Sequence, residues 1–338
     1  MRFRTRLALA LATLFAPVAI ASCSSDDTPT DAAGGAGAAG SAGAAGAGGA
    51  DAGPGKRVAP ELYDCRAKAS PPRTNPVPTT CATDPACTTR LVSAHRAAGG
   101  DLGVIAPENT VSAVRAAIAL GVDFIETDPR PSKDGVIVNV HDTDVGRVTT
   151  GTGKVADMTL AELRALPLKT SKYEGDFSCE HIATLTEILA AARGRIHVLL
   201  DGNKSDDVAG LIAAIHETDT LDWAIFDTDS QAKIDAALAI EPKLHTMIRV
   251  ATTTELSSEL AHFAQHPPVI VEIHGDGTPE SLAPAIHAAK NRALMDVFVV
   301  DVSTGFDGKV ASYGDVYARG IDIVQTDRPD LVMAFLGR

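Results

Sequence analysis

Residues 91–142 read LVSAHRAAGGDLGVIAPENTVSAVRAAIALGVDFIETDPRPSKDGVIVNVHD. Two short apolar runs, Leu91–His95 and Asp123–Asp128, flank Thr110–Leu120, where Val, Ala, Ile and Leu recur at helical spacing. Strand, helix and strand in that order form the unit from which parallel sheets are built. Both runs end in polar side chains, His95-Arg96 in the first and Glu126-Thr127-Asp128 in the second. Beyond the second lie the turn signal Asp134-Gly135 and another apolar run, Val136–Val140. A two-residue turn there sets Asp128 across from His141, although Pro129 and Pro131 disturb the ladder.

The alternation continues toward the C-terminus. Further strands are expected at His197–Asp201, Trp223–Asp227, Leu244–Val250, Val269–His274, Asp296–Val302 and Asp322–Thr326, making eight with the first two. Helical periodicity fills the intervals at Asp207–Glu217, Ser230–Ala239, Glu255–His266 and Pro279–Ala289. Eight βα units in about 245 residues predict an α/β fold, a (β/α)8 TIM barrel over residues 91–338. The extra length from Pro129 to Arg195, with helices expected at Leu160–Leu166 and Leu185–Ala192, is an insertion after the second strand. Inserts at that end of a strand lie over the active-site face.

Upstream of the barrel the composition changes three times. Arg2, Arg4 and Arg6 precede an apolar stretch from Leu7 to Ile20 and the small residues before Cys23, the layout of an export signal over residues 1–22. Ala21-Ser22-Cys23 resembles a bacterial lipoprotein processing site, which implies a lipid anchor at Cys23 and a place in the bacterial cell envelope, periplasm or cell surface. A plain secretory signal is the alternative. Residues 23–55 are almost entirely Gly, Ala, Ser, Asp and Thr, a linker without apolar side chains to bury, with an r.m.s. span of roughly 30 Å. Residues 56–90 carry prolines and three cysteines without periodicity and form an irregular lead-in.

The full chain of 338 residues is 45% hydrophobic and 22% charged, enough for one large globular domain plus a tail. Its formal charge is -13, and removal of residues 1–22, which hold three arginines and no acids, takes it to -16. Such acidity argues against a nucleic-acid partner. Cys65, Cys81, Cys87 and Cys179 are an even number in an exported protein, so two disulfides are expected, with three connectivities open. Their spacing, without a CxxC, speaks against zinc.

In a (β/α)8 enzyme the chemistry stands at the C-terminal ends of strands. Here those ends carry His95-Arg96, Glu126 and Asp128, Asp201, Asp227, Glu272-Ile273-His274, Asp301 and Asp327. Glu126 and Asp128, two apart on a strand, face the same way, and Asp201 on the next strand completes a trio of hard oxygen ligands suited to Mg²⁺ or Ca²⁺. Strand-end acids also cap helices, but no helix signal follows Asp128.

Ala94-His95-Arg96, Ala106-Pro107-Glu108-Asn109-Thr110, Phe124-Ile125-Glu126-Thr127-Asp128, Ser132-Lys133-Asp134-Gly135-Val136 and His141-Asp142 follow the order and spacing of another set of proteins. From Leu91 to the C-terminus the chain resembles the glycerophosphodiester phosphodiesterase family. That resemblance implies hydrolysis of small-molecule glycerophosphodiesters to sn-glycerol 3-phosphate and an alcohol. It implies His95 and His141 as the general acid/base pair, Glu126, Asp128 and Asp201 as metal ligands, Arg96 on the phosphate and Glu108 orienting the site. Ala97 stands where the family has glycine, and Asp201-Gly202-Asn203 where it commonly has Glu, any residue, Lys. Lys204 is adjacent but on an ideal strand would point away. Two alternatives are a phospholipid-directed enzyme of the sphingomyelinase D type and a non-catalytic barrel lipoprotein.

Overall fold

A computed structural model describes residues 55–338. The expected signal segment 1–22, Cys23 and nearly all of the 23–55 linker lie outside the described residues. Eight parallel strands close into a barrel: β1 (Leu91–Ala94), β2 (Phe124–Thr127), β5 (His197–Asp201), β6 (Ala224–Asp227), β7 (His245–Val250), β8 (Ile270–Ile273), β9 (Arg292–Asp296) and β10 (Ile323–Thr326), which pairs back with β1. β3 (Pro129–Pro131) and β4 (Ile137–Asn139) form a separate antiparallel hairpin in the insertion.

The period-two alternation of the strands explains both the core and the site. One residue from each barrel strand, Leu91, Phe124, Leu199, Ile225, Met247, Ile270, Leu294 and Ile323, joins a single buried cluster. Val77, Cys81 and Ala82 of the lead-in pack into the same cluster. Two or four residues further on, the same strand faces present His95, Glu126, Asp128, Asp201, Asp227, Arg249, Glu272, Asp296 and Asp327. The barrel interior is therefore apolar at one end and densely charged at the other.

Helices cover the outside, and their ends follow local chemistry. In α1 (Val111–Leu120) the Thr110 hydroxyl accepts from Ala113 N, and Gly121 closes the helix at φ 81°. Reciprocal Thr and Glu caps start α3 (Leu185–Ala192) and α6 (Thr253–His262). The insertion has its own small core of Val138, Val140, Val145, Val155, Leu163 and Ile182. Disulfides join Cys65 to Cys179 and Cys81 to Cys87, so the first ties the lead-in to the insertion. The fully buried Arg292 also anchors the lead-in, donating to the Cys81 and Thr89 carbonyls at 2.9 and 3.0 Å.

Two expectations are corrected. The seventh strand is Arg292–Asp296, not Asp296–Val302; the valine- and phenylalanine-rich run Val297–Val300 instead enters α8 (Phe298–Asp307), where Val299 stands 80% exposed. Asp301 therefore sits in the first turn of that helix and ends no strand. The hairpin turn has three residues rather than two, because Ser132 N pairs with the Val136 carbonyl around Lys133, Asp134 and Gly135, the last at φ 78°. Pairing shifts by one, and Asp128 faces Val140 instead of His141.

Candidate active site

Glu126, Asp128 and Asp201 converge, each offering an oxygen within 4.8 Å of the other two, and all three are buried. Backbone and side-chain donors hold them in place. Arg96 N donates to Glu126 at 2.9 Å, and Asn109 Nδ2 donates to Asp128 at 2.8 Å. Burial, reinforced by the Asp128 charge, pushes the Glu126 carboxyl well above its ordinary value. Three buried carboxylates this close repel one another, and a divalent cation among hard oxygens relieves that repulsion, so the donor set fits a divalent metal.

Positive charge reaches the triad from two elements. Asp201 ends β5 and caps a 3-10 turn, Gly202–Lys204, by accepting from Asn203 N. That turn carries Lys204 Nζ to 3.7 Å from Asp201 and 3.9 Å from Asp128. The expectation that Lys204 points away is thus corrected, since it rested on extended backbone. On the other side, Arg249 bonds Asp227 through Nε at 2.9 Å, lies 3.1 Å from Glu272 and reaches within 3.6 Å of Asp201. Burial raises the Asp227 carboxyl to about 6 and that of Glu272 to about 8 against the pull of Arg249.

His95 stands at the rim of the same charged end. Its Nδ1 meets Asp327 Oδ1 at 2.7 Å, and its Nε2 lies 3.8 Å from Glu126. Asp327 is itself fixed, accepting from Gly100 N and Leu102 N at 3.0 Å each. Burial alone would lower the imidazole and raise the carboxyl. The bond between them reverses both effects, with nearby Glu126 and Asp296 adding to the first, and sets His95 to about 9 and Asp327 to about 2. Asp301 braces this pair, accepting from Tyr313, Thr326 and Asp327 N at 2.7 Å each.

The loop after His95 is tightly constrained. Arg96 and Ala97 lie at φ 49° and 74°, so Ala97 adopts the left-handed conformation that glycine would take at lower cost. A Cβ on Gly99, at φ 109°, would collide with the Asp327 carbonyl oxygen.

His141 belongs to the insertion. Val140 N, just before it, donates to the Asp128 carbonyl at 3.0 Å, while Arg130 holds the His141 carbonyl at 2.6 Å. His141 Nδ1 meets Asp142 at 2.8 Å, and Asp142 accepts from Arg147 Nε at 2.7 Å. Arg147 then grips Glu108 with both terminal nitrogens, at 2.6 and 2.7 Å, and Glu108 lies 3.4 Å from Arg96. Burial opposes ionisation of Asp142, but Arg147 and His141 hold its carboxyl down at about 2. Arg96 and Glu108 are therefore together at the insertion interface. Arg96 is buried with its Nε unpartnered among the described residues.

Sequence reasoning did not single out Asp327 as the partner of His95, nor Arg147, Arg249 or Asn109. Arg147 does carry a signal, standing five residues after Asp142 in the segment that crosses the site.

Residues 95–208 match the model of the glycerophosphoryl diester phosphodiesterase family. A glycerophosphodiester phosphodiesterase of Caldanaerobacter subterraneus subsp. tengcongensis is 44% identical over 98 residues, covering 29% of this chain and 38% of the relative. This chain spans less than half the length of the curated relatives it matches. The crystal structure of a glycerophosphoryl diester phosphodiesterase from Parabacteroides distasonis aligns with a TM-score of 0.67 at 23% identity, covering 77% of this chain and 90% of that one. An Oleispira antarctica phosphodiesterase in complex with the product sn-glycerol-3-phosphate aligns with a TM-score of 0.60 at 22% identity, covering 74% of this chain and 98% of that one. The matched segment contains His95, Arg96, Glu108, the carboxylate triad and His141. With a closed parallel barrel bearing those side chains at one end, the chain is similar over residues 95–208 to the glycerophosphoryl diester phosphodiesterase family and shares the fold of its solved structures.

Proposed function

We propose that the chain hydrolyses glycerophosphodiesters to sn-glycerol 3-phosphate and an alcohol, with a divalent cation, Mg²⁺ or Ca²⁺, held by Glu126, Asp128 and Asp201. The observation that carries this reading is the convergence of the triad with Lys204 and with the His95–Asp327 pair at one barrel mouth. A bound divalent cation would supply positive charge against the phosphoryl oxygens.

The chain's own groups have complementary tasks. With Nδ1 committed to Asp327, His95 presents Nε2 on the side of Glu126, where it can exchange a proton with an oxygen on phosphorus. His141, fixed through Nδ1 by Asp142, is its counterpart for the other oxygen. Lys204 gives the phosphate the cation that Asn203 cannot, which favours an enzyme over a non-catalytic barrel. Arg96 adds charge toward the phosphate from its buried position, and Glu108 orients it against Arg147. The sn-glycerol-3-phosphate bound to the Oleispira relative supports the choice of product.

Export and lipid anchoring at Cys23 are part of the same proposal. The two disulfides support them, since such bonds persist in oxidising compartments. The test incubates the full chain with glycerophosphocholine in Mg²⁺, in Ca²⁺ and in excess chelator, assaying sn-glycerol 3-phosphate. Product in either metal and none in chelator supports the reading; no product from any glycerophosphodiester in either metal overturns it. In a detergent phase separation the wild type should partition with the detergent and Cys23→Ala with water.

A further inference from the structure

A cavity of about 300 Å³ adjoins the triad on its insertion side, lined by Arg130, Pro131, Thr143, Lys154, Val155, Ala156 and Lys204. Three of these carry positive charge, and no carboxylate lines the space. Lys204 forms the wall shared with the triad. Arg130 forms the wall shared with His141, donating to the Val140 and His141 carbonyls, which are neutral acceptors. Among the described residues no carboxylate lies within ion-pair distance of Arg130 or Lys154. In a chain of net charge -13, a concave space lined by three cations and no acid, two of those cations without a carboxylate partner among the described residues, is a local concentration of positive charge.

A larger cavity of about 340 Å³ differs in kind. It is lined by Asp101 and Glu108 as well as Arg147, Lys169 and Lys172, so its charges answer one another. In the small cavity only Lys204 is answered, by the triad carboxylates Asp128 and Asp201, and the charges of Arg130 and Lys154 are left to attract an anion that enters.

We propose that this cavity binds an anionic substituent, a phosphate or carboxylate, on the alcohol half of the diester. The proposal rests on the phosphodiesterase reading above, with phosphorus at the triad. The glycerol half is uncharged and gives three cations nothing to recognise, whereas a second anion on the alcohol would lie between Lys204, Arg130 and Lys154. The preferred substrates are then headgroup diesters bearing an extra negative charge rather than cholinium-type cations. A free phosphate ion has the same chemistry and is the competing source.

The experiment compares the full chain on glycerophosphoglycerol and on glycerophosphoglycerol carrying a terminal phosphate, at fixed free divalent metal. The wild type should favour the phosphate-bearing diester in kcat/KM, with a preference that shrinks as salt rises. Lys154→Glu, at an exposed lysine with no part in the catalytic machinery, should lower kcat/KM for that diester by about 10-fold and leave plain glycerophosphoglycerol within about 2-fold. Equal wild-type turnover of the two diesters, or an equal loss on both in Lys154→Glu, overturns the proposal. Calorimetric titration of the phosphate-bearing diester into His95→Ala, with and without Lys154→Glu, reads the pocket without turnover. If neither diester is hydrolysed but binding still weakens in the double variant, the activity reading falls and the anion pocket stands. Binding that Lys154→Glu does not weaken overturns the pocket, as does inorganic phosphate binding as tightly as the diester.

Discussion

Asp327→Asn tests whether His95 works as a positioned acid/base. Asp327 Oδ1 accepts from His95 Nδ1 at 2.7 Å and from Gly100 N at 3.0 Å, while Oδ2 accepts from Leu102 N at 3.0 Å. Asparagine has one acceptor oxygen and one donor nitrogen, so it can satisfy the loop N–H groups or the imidazole but not all three. With a donor facing Nδ1, the imidazole must place its proton on Nε2, the nitrogen that faces Glu126 and the proposed substrate. The neutral ring then cannot accept a proton there. The expected loss in kcat is ~10²–10⁴-fold, the range of general acid–base catalysis. KM should stay within about 3-fold, because Asp327 touches no substrate in this account. Losing one buried charge-assisted bond should also cost about 1.5–3 kcal/mol of stability. Steady-state kinetics on glycerophosphocholine at saturating metal, beside a urea titration of the same sample, separate the two effects. A destabilised variant whose kcat remains within about 3-fold of wild type would refute the positioning role and leave Asp327 as a loop brace.

Three further outcomes are expected. Replacing Cys65 and Cys179 by serine opens a loop of 114 residues and should lower stability in urea by about 4–5 kcal/mol, against about 2 kcal/mol for the Cys81–Cys87 pair, whose separation is 6. Arg66 holds the buried Asp64 carboxyl down from 3.8 to about 2. A depressed folded value means stability present above the ordinary carboxylate range and lost as pH falls from about 4 toward 2, about 2 kcal/mol in all; Asp64→Asn should flatten that limb of the stability profile. Arg147→Lys removes the two-pronged grip on Glu108 and should lower kcat by about 10-fold or more on every diester, because a lysine cannot hold Glu108 and Asp142 together.

Much of the site was legible because its residues sit in short motifs at strand ends, where period two decides which side chains face inward. Glu126 and Asp128 needed only that rule, and the barrel needed only the repeated alternation. The failures have a common source in contacts distant along the chain. Val297–Val300 reads as a strand by side-chain type, yet Asp296 ends β9 and the buried Asp301 anchors a helix through Tyr313, Thr326 and Asp327. Lys204 was read on ideal strand geometry, and a single 3-10 turn reversed its direction. Asp327 lies 232 residues from His95, a pairing that no local spacing encodes.

In the proposed chemistry His95 and His141 act in one transition state on a phosphodiester at the carboxylate triad. The most direct measurement is kcat for His95→Ala, His141→Ala and the double variant, each on glycerophosphocholine and on a glycerophosphodiester of p-nitrophenol, in saturating divalent metal. Single losses of at least ~10²-fold are expected on the choline diester, with a double loss far smaller than their product and one histidine whose removal is largely spared on the p-nitrophenyl diester, since that leaving group departs without a proton. If both single variants turn over the choline diester at near the wild-type rate, the histidine pair is structural and the account is contradicted.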